Sequence, residues 1–575
     1  MKRSGAWLVR HALERLGVTH TFGIPGVHTT ELYDELGRSN QITPILVTHE
    51  AGAAFGADAI SRTTDTIGTC VLVPAAGLTH AASGIGEAYL AGIPMLVITG
   101  GIRTDTGSRY QLHEVDGRAL IQPITKAQYR VERHEDVVPT IYEAYRTAMS
   151  GEPGPVHVEV PVNLQLFDGE AGALPDPPVI EGPALQPDQI EAAASALIAA
   201  ERPCIFAGWG AARASEALVR LAERLDAPVA TSLQGLSVFP ANHPLHAGFG
   251  FGPSASPAGE RAFKSCDVML AAGVRFGEIA TGSFGASPPP RLIHIDINPD
   301  AIGANHPAEI GIVADAADAL PALADSVARK IETRRETGVR ETIAKAKAEY
   351  EAEWLAHDPK GRVNPGVFFK ALRGALADDA IVVADDGNHT FLAAELMPVH
   401  AARGFISPTD FNCMGYCVPA ANAAKFASPN RQVAAIVGDG AFLMTGLEAL
   451  TAKAQGAGVM YFVFADGELS QIAQAQQTPY NRKTCTVLPP VKLGPWAEAV
   501  GCDFVSIGTD ADVEAGVAAA VSFAAEGRPV IVELNIDYSK PTRFTRGAVA
   551  TNLKRFDLPA KAKFIGRALK RKVTG

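Results

Sequence analysis

The chain is poor in several features that would set it apart from ordinary globular proteins. It holds only seven cysteines in 575 residues, scattered at Cys70, Cys204, Cys266, Cys413, Cys417, Cys485 and Cys502. A disulfide-stapled scaffold is thereby excluded, and reduced, mostly buried thiols are expected. No apolar run reaches the roughly 18 residues that read as a membrane-spanning helix, so none is predicted. A surplus of basic charge is also missing: 51 Lys and Arg stand against 62 Asp and Glu, a net charge of −11. That argues against a general nucleic-acid binder. The opening "MKRSGAWLVRHALERLGV" interrupts its apolar positions with Arg10, His11, Glu14 and Arg15. It reads as an amphipathic helix and not as a secretion signal. A cytoplasmic location and a small-molecule partner are the resulting expectations.

What is present is a repeated alternation of buried-strand and helix patterns. A chain of this length is too long for one core, and about three domains of roughly 150–200 residues are expected. The stretch "TIGTCVLVPAAGLTHAASGIGEAYLAGIPMLVITGG" (66–101) reads strand, turn, helix, strand. Such a βαβ unit implies a parallel sheet. The Pro-rich "ALPDPPVIEGPALQP" (173–187) reads as a linker. The charged helical pattern of 325–354 reads as a second connecting segment. The expected fold class is α/β, with three domains over 1–172, 188–335 and 360–540, each a mostly parallel sheet flanked by helices. A basic tail, 541–575, follows. From Lys540 onward eleven Lys or Arg accompany Asp557 as the only acid. The stretch reads as a solvated tail or packed helix, or else as an arm for an anion or a membrane surface.

Two acids stand out. The apolar run "VAAIV" (433–437) ends in Gly438-Asp439-Gly440, and "VMYFVFADGEL" (459–469) carries Asp466 in the same position after its own run. They lie 27 positions apart, close to the ~30 residues that one strand–helix–strand passage takes. Ligands of open parallel sheets sit beyond the carboxyl ends of strands, so both acids are expected at one sheet edge. Hard cations such as Mg²⁺ take carboxylate oxygens and leave room for substrate phosphate. Glu468 is taken with the pair as a third candidate metal ligand. Gly438 and Gly440 allow close backbone approach. The helix expected over "AFLMTGLEALTAKA", beginning at Ala441, offers free N–H groups to phosphate. A generic strand-end turn is the bland alternative for "GDG" alone. The second acid at matching spacing favours a Mg²⁺–diphosphate site.

At this point the pattern resembles thiamine-diphosphate (ThDP) enzymes of the acetolactate synthase, pyruvate decarboxylase and benzaldehyde lyase type. Their motif is Gly-Asp-Gly followed, after a similar interval, by Asn-Asn or a variant; here Ala465-Asp466 stands in the second position. The resemblance covers nearly the whole chain, through "FGIPGVHTTELYDEL" (22–36), "THEAGAAFGADAISR" (48–62), "HIDINPDAIGAN" (294–305) and "FNCMGYCVPAANAAK" (411–425). It implies pyrimidine-binding, central and diphosphate-binding domains in that order. It implies that Glu50 is the acid that meets the aminopyrimidine ring and activates the cofactor. Met414 matches the apolar wedge that bends the cofactor, and Asn388 and His389 match a diphosphate-contacting loop. The family holds one cofactor between two subunits, so at least a homodimer, or a homotetramer, is implied. FAD is not expected: "RFGEI" (275–279) lacks the paired acids and second Arg of FAD-binding acetolactate synthases, and Trp209 in "AGWGAA" (207–212) is bulky where a nucleotide would pass.

Substrate choice is expected to rest on three histidines placed on loops facing the cofactor. His28 resembles a histidine of benzaldehyde lyase, His80 lies in a "GLTHA" stretch similar to that of 2-hydroxyacyl-CoA lyases, and His113 stands where acetolactate synthases usually carry Gln. An imidazole there can shuttle a hydroxyl proton. A structural role is the alternative for each. The reading is a ThDP- and Mg²⁺-dependent lyase or carboligase that decarboxylates a 2-oxo acid and ligates it to a second carbonyl compound. The alternatives are an acyloin or 2-hydroxyacyl-CoA lyase that does not decarboxylate and, from another class, a non-catalytic ThDP-binding scaffold.

Overall fold

The computed structural model describes residues 1–172, 174–559 and 566–567. Three six-stranded sheets follow one another along the chain. The first runs, edge to edge, Thr43–Leu46, His20–Gly23, Gly68–Leu72, Met95–Gly101, Pro155–Pro161 and Ala127–Arg130. The third runs Phe405–Ile406, Ile381–Ala384, Val433–Gly438, Val459–Phe464, Val530–Leu534 and Asp503–Ile507. Counted in chain order within each sheet, both have the order 2-1-3-4-6-5. The second has His246–Phe249, Val229–Thr231, Pro203–Ala207, Val268–Ala272, Arg291–Asp296 and Ile310–Val313, the order 3-2-1-4-5-6. Every pairing within the three sheets is parallel. The expected α/β class holds.

Helices cover both faces of these sheets, which is why the central strands read as unbroken apolar runs. All six residues of Val459–Phe464 are buried. The first helix, Gly5–Arg15, is capped by Ser4, whose Oγ accepts the Trp7 N–H, and it buries Leu8, Val9, Ala12 and Leu13.

The first and third units dock through the helices Glu50–Thr63 and Cys417–Ala427. Ala53, Ala57, Ala420 and Ala424 are fully buried there, and such small side chains let two helices approach closely. Inside this contact the Asp58 carboxylate accepts from Arg62 Nε and Tyr416 OH, each at 2.6 Å. The central unit is tied to both by Arg275, which donates to Glu152 (2.9 Å), to Asp410 (2.7 Å) and to the Leu90 carbonyl (2.6 Å).

Of three segments read from the sequence, two follow their expectation and one differs. The second connecting segment is helical, as its pattern indicated: Val339–Leu355 is a packed helix that buries Ile343, Ala346, Tyr350 and Trp354. The helix expected after Gly-Asp-Gly is broken into Asp439–Thr445, a 3₁₀ turn Gly446–Glu448 and Ala449–Ala454. At Gly446 a side chain would meet the Phe442 ring at 2.9 Å, and the turn there swings Glu448 inward. The basic tail follows its packed-helix reading at its start: it begins as the helix Arg543–Arg555, whose first N–H groups donate to the Glu395 carboxylate from Arg543 (3.1 Å) and Phe544 (2.7 Å). Lys540, Arg543 and Arg546 also face Glu353 at 3.4–3.8 Å. Lys561, Lys563, Lys570, Arg571 and Lys572 lie outside the described residues. All seven cysteines are free, four of them buried. Among the described residues no helix is long and apolar enough to cross a membrane.

Candidate active site

Val433–Gly438 and Val459–Phe464 are neighbouring parallel strands, with Gly438 opposite Phe464. Their carboxyl ends therefore deliver Asp439 and Asp466 to one edge. The Asp439 carboxylate accepts the backbone N–H groups of Gly440 (2.8 Å), Gly467 (2.7 Å) and Asp466 (3.1 Å). Asp466 accepts a hydrogen bond from Ser470. Burial raises the pKa of both acids. Asp466 reaches about 6, with the nearby Asp439 charge adding to the shift. Two desolvated carboxylates that disfavour each other's charge form a donor set that a hard divalent cation would satisfy. The Glu468 carboxylate is held by Lys483 Nζ at 2.5 and 2.6 Å.

The glycines have a more particular task than leaving room for a ligand. A side chain at Gly438 would meet the His389 ring at 2.9 Å, and one at Gly387 (φ +150°) would meet it at 2.7 Å. The imidazole thus occupies the space that both glycines leave. At Gly440 a side chain would meet Leu469 Cδ2 at 2.4 Å, with Met414 Cε at 3.7 Å. Asn388 and His389 begin the helix Asn388–Leu396 and do not lie in a loop. His389 is buried, its pKa is lowered to about 3 by burial, and its Nε2 has no partner. A buried imidazole nitrogen left without a partner beside Gly438 marks a place that a bound group would complete. These observations fit the residues to a Mg²⁺–diphosphate group.

At the first sheet, Glu50 is buried and opens the helix Glu50–Thr63. Its Oε2 lies 2.9 Å from His80 Nδ1. His80 stacks on His49, with ring centroids 4.7 Å apart. His80 stands on the helix Ala76–Ala91, and not on the strand-end loop expected for it. The residue before that helix, Ala75, has φ +55°, a left-handed conformation uncommon for a residue with a Cβ. It folds the turn back so that Gly77 lies against Glu50, where a side chain would meet Oε1 at 3.2 Å.

His28 and His113 meet each other. Their Nδ1 atoms are 3.3 Å apart and their ring centroids 5.1 Å. At that distance one nitrogen donates a hydrogen bond and the other accepts it. Burial, and secondarily His113, lowers the pKa of His28. His113 takes a left-handed φ of +65° in the loop that carries it. The three histidines thus fall into two groups: His28 with His113, and His80 with Glu50. Among the described residues no hydrogen bond or ion pair joins either group to Asp439 or Asp466.

Three residues of the site escape sequence reasoning. Glu448 is buried, and its Oε1 accepts from Thr48 N (2.9 Å), Thr48 Oγ1 (2.6 Å) and His49 N (3.2 Å). It clamps the two residues that precede Glu50 from 400 positions away. Asp385 is fully buried, with its pKa raised to about 7 by burial, and accepts the N–H groups of Gly415 (2.9 Å) and Cys417 (2.8 Å). It fixes the loop that carries Met414. Glu87 accepts the N–H groups of Thr409 (3.0 Å) and Cys413 (3.3 Å) from the other side. The Asp385-Asp386 doublet at a strand end is the one local signal that could have pointed here.

Family models match along the chain: the N-terminal TPP binding domain of thiamine pyrophosphate enzymes over residues 3–120, the central domain over 190–323 and the C-terminal TPP binding domain over 385–534. Among similar proteins, the probable acetolactate synthase large subunit of Methanocaldococcus jannaschii is 34% identical over 84% of this chain and 83% of its own. The acetolactate synthase large subunit of Corynebacterium glutamicum is 31% identical over 84% and 78%. That of Haemophilus influenzae is 30% identical over 95% and 97%.

Proposed function

The chain belongs to the thiamine pyrophosphate enzymes, and from that premise we propose that it decarboxylates a 2-oxo acid and joins the remaining acyl unit to a second carbonyl compound. The observation that carries this reading is the pairing of Asp439 with Asp466 at one sheet edge, beside the unpartnered His389 Nε2. The names of the similar acetolactate synthase subunits support the same reaction class.

Thiamine diphosphate, when bound, supplies a carbon acid whose anion adds to a carbonyl and holds the electron pair released by C–C cleavage. The chain's residues would serve it as follows. Asp439 and Asp466 hold Mg²⁺, and with it the diphosphate. His389 lies beside them, with its unpartnered Nε2 left for a group bound at this edge. Gly440 and Ala441 present backbone at the same place, and Met414 gives an apolar support. Glu50 holds the aminopyrimidine through its carboxyl group, and His80 keeps that carboxyl oriented until the ring arrives. His28 and His113 pass a proton to and from the substrate oxygen, in the manner of general acid–base pairs. Because Glu50 and the Asp439 edge are separate clusters in one chain, two subunits would complete each other's sites. A homodimer or homotetramer in the cytoplasm is the assembly we infer.

A second reading is favoured by the His28–His113 contact. Two hydrogen-bonded imidazoles can pass a proton in cleavage of a 2-hydroxy carbonyl compound as well as in its formation, which is what an acyloin or 2-hydroxyacyl-CoA lyase needs. The test is to incubate the enzyme loaded with ThDP and Mg²⁺ with a panel of 2-oxo acids, acyloins and 2-hydroxyacyl-CoA thioesters. CO₂ and ligated products are read by mass spectrometry. CO₂ release that Glu50→Gln abolishes is expected from 2-oxo acids. Cleavage of acyloins or thioesters without CO₂ from any 2-oxo acid would overturn the decarboxylase reading in favour of the second.

A further inference from the structure

A cavity of about 320 Å³ lies at the seam between the central and third units, away from the residues above. Its wall is largely apolar and includes Leu236, Phe249, Pro257, Trp354, Met397 and Val399. A volume at the low end of ligand pockets suits a small molecule. The charged groups in the wall are informative because nearly all are already satisfied. Glu395 accepts from Tyr350 OH and from the N–H groups of Arg543 and Phe544. Lys370 pairs with Glu351 at 2.8 Å. Arg373 donates to the carbonyls of Leu376 (2.6 Å) and Ala377 (2.5 Å).

Lys347 is the exception. Its Nζ donates to the Ala241 carbonyl (3.1 Å) and to His246 Nδ1 (3.2 Å). An ammonium group has three donors, so one is left over. Among the described residues no ion pair gives it a carboxylate, and burial lowers its pKa to about 8. His246, which also lines the cavity, is 7% exposed. Because its Nδ1 accepts from Lys347, its proton sits on Nε2, and that nitrogen is buried without a partner. A desolvated cation and an orphaned N–H at one end of an apolar cavity lack a single negative charge.

We propose that this cavity is a regulatory site for a small hydrophobic monocarboxylate, whose carboxylate meets Lys347 and His246 and whose apolar body lies against Trp354, Met397 and Val399. The link to the catalytic centre is one helix. Asn388–Leu396 lines the cavity with Ala394, Glu395 and Leu396 at its carboxyl end. It carries Asn388 and His389 at its amino end, about 12 Å from Leu396 along the axis at 1.5 Å per residue. Filling the cavity braces this helix, so His389 is held differently against Gly438. That coupling rests on the assignment of Asn388 and His389 to the cofactor; the binding itself does not.

The experiment uses 4-methylpentanoate, which has no 2-oxo group to be turned over, and its neutral amide as control. Calorimetry on the cofactor-free protein is expected to show one acid bound per chain, with the amide at least tenfold weaker. Lys347→Met keeps the side chain's length without its charge and is expected to lose the acid at least tenfold. Its melting temperature is checked against the parent's. Glu50→Gln is expected to bind the acid normally, even though it would fail in catalysis. A second titration measures ThDP affinity, in the presence of Mg²⁺, with and without saturating acid, and a change of at least threefold is expected. Equal binding of acid and amide, or undiminished binding to Lys347→Met, would overturn the site. Displacement of the acid by ThDP and Mg²⁺ in a simple competitive manner would place it in the catalytic centre and overturn it equally. Lys347-dependent binding with ThDP affinity unchanged would overturn the regulatory role.

Discussion

Replacing Asp466 by Asn should make the cofactor-free protein more stable while impairing its function. Asp466 titrates near 6 in the folded chain, chiefly through burial and further through Asp439, against about 3.9 for an unperturbed Asp. The sign follows from proton binding. Between pH 4 and 6 the folded state holds more protons at this position than the unfolded state, so stability falls as pH rises through that window. Above about pH 6 the full penalty is present. Two pKa units at 1.36 kcal/mol each give an upper figure of about 3 kcal/mol. Solvent screening of a partly exposed group, and its coupling to Asp439, reduce this to roughly 1–3 kcal/mol. Asn is isosteric, accepts the Ser470 hydrogen bond through its carbonyl oxygen and carries no charge, so the penalty disappears. For a unit of 150–250 residues, 1 kcal/mol corresponds to about 2–4 °C in melting temperature.

The assay is thermal unfolding of cofactor-free parent and Asp466→Asn at several pH values from 4.5 to 8. The variant is expected to melt several degrees higher at pH 7.5, with the gap closing toward pH 4.5. Adding Mg²⁺ and ThDP should raise the parent's melting temperature more than the variant's, because a ligand that binds only the folded state stabilises it. A variant that melts lower than the parent at pH 7.5, or a gap independent of pH, would refute the reasoning that a desolvated carboxylate waits there for a cation.

Two further outcomes follow from the long-range contacts. Glu448→Ala strips three donors around Thr48 and His49 of their acceptor; hydrogen bonds to a charged group are worth about 1.5–3 kcal/mol each. Exchange of the ThDP C2 proton, followed by NMR after acid quench, should slow markedly although Glu50 is intact, with Glu448→Gln restoring part of it; unchanged exchange would show that the clamp does not position Glu50. His113→Gln keeps a hydrogen bond to His28 but cannot titrate near neutrality, so product release should fall by ~10²–10⁴-fold, with a smaller effect on substrate addition, as read from the distribution of bound adducts in quenched samples.

Local patterns in the sequence were enough for a good part of this protein. The apolar runs at 433–437 and 459–464 became adjacent buried strands, because alternation of strand and helix encodes a parallel sheet locally. The 27-residue interval then carried Asp439 and Asp466 to one edge, since ligand positions in such sheets follow from strand direction. The family could likewise be read from motifs that are short and contiguous. What only the tertiary structure decided lies in contacts between segments remote in the chain. His28 and His113 are 85 residues apart and on separate loops, so nothing in their neighbourhoods marks them as a pair. His80 turned out to face Glu50 because an unusual backbone at Ala75 folds its helix back toward that acid. Glu448 reaches Thr48 only because two units dock through small alanine faces, and because a break at Gly446 turns an apparent surface helix inward. Periodicity reports which face of an element is buried; it says nothing about which distant element covers that face. Glu448 and Glu87, whose partners belong to the other unit, are therefore visible only after the units have been brought together, whereas Asp385 meets Gly415 and Cys417 within the third unit itself.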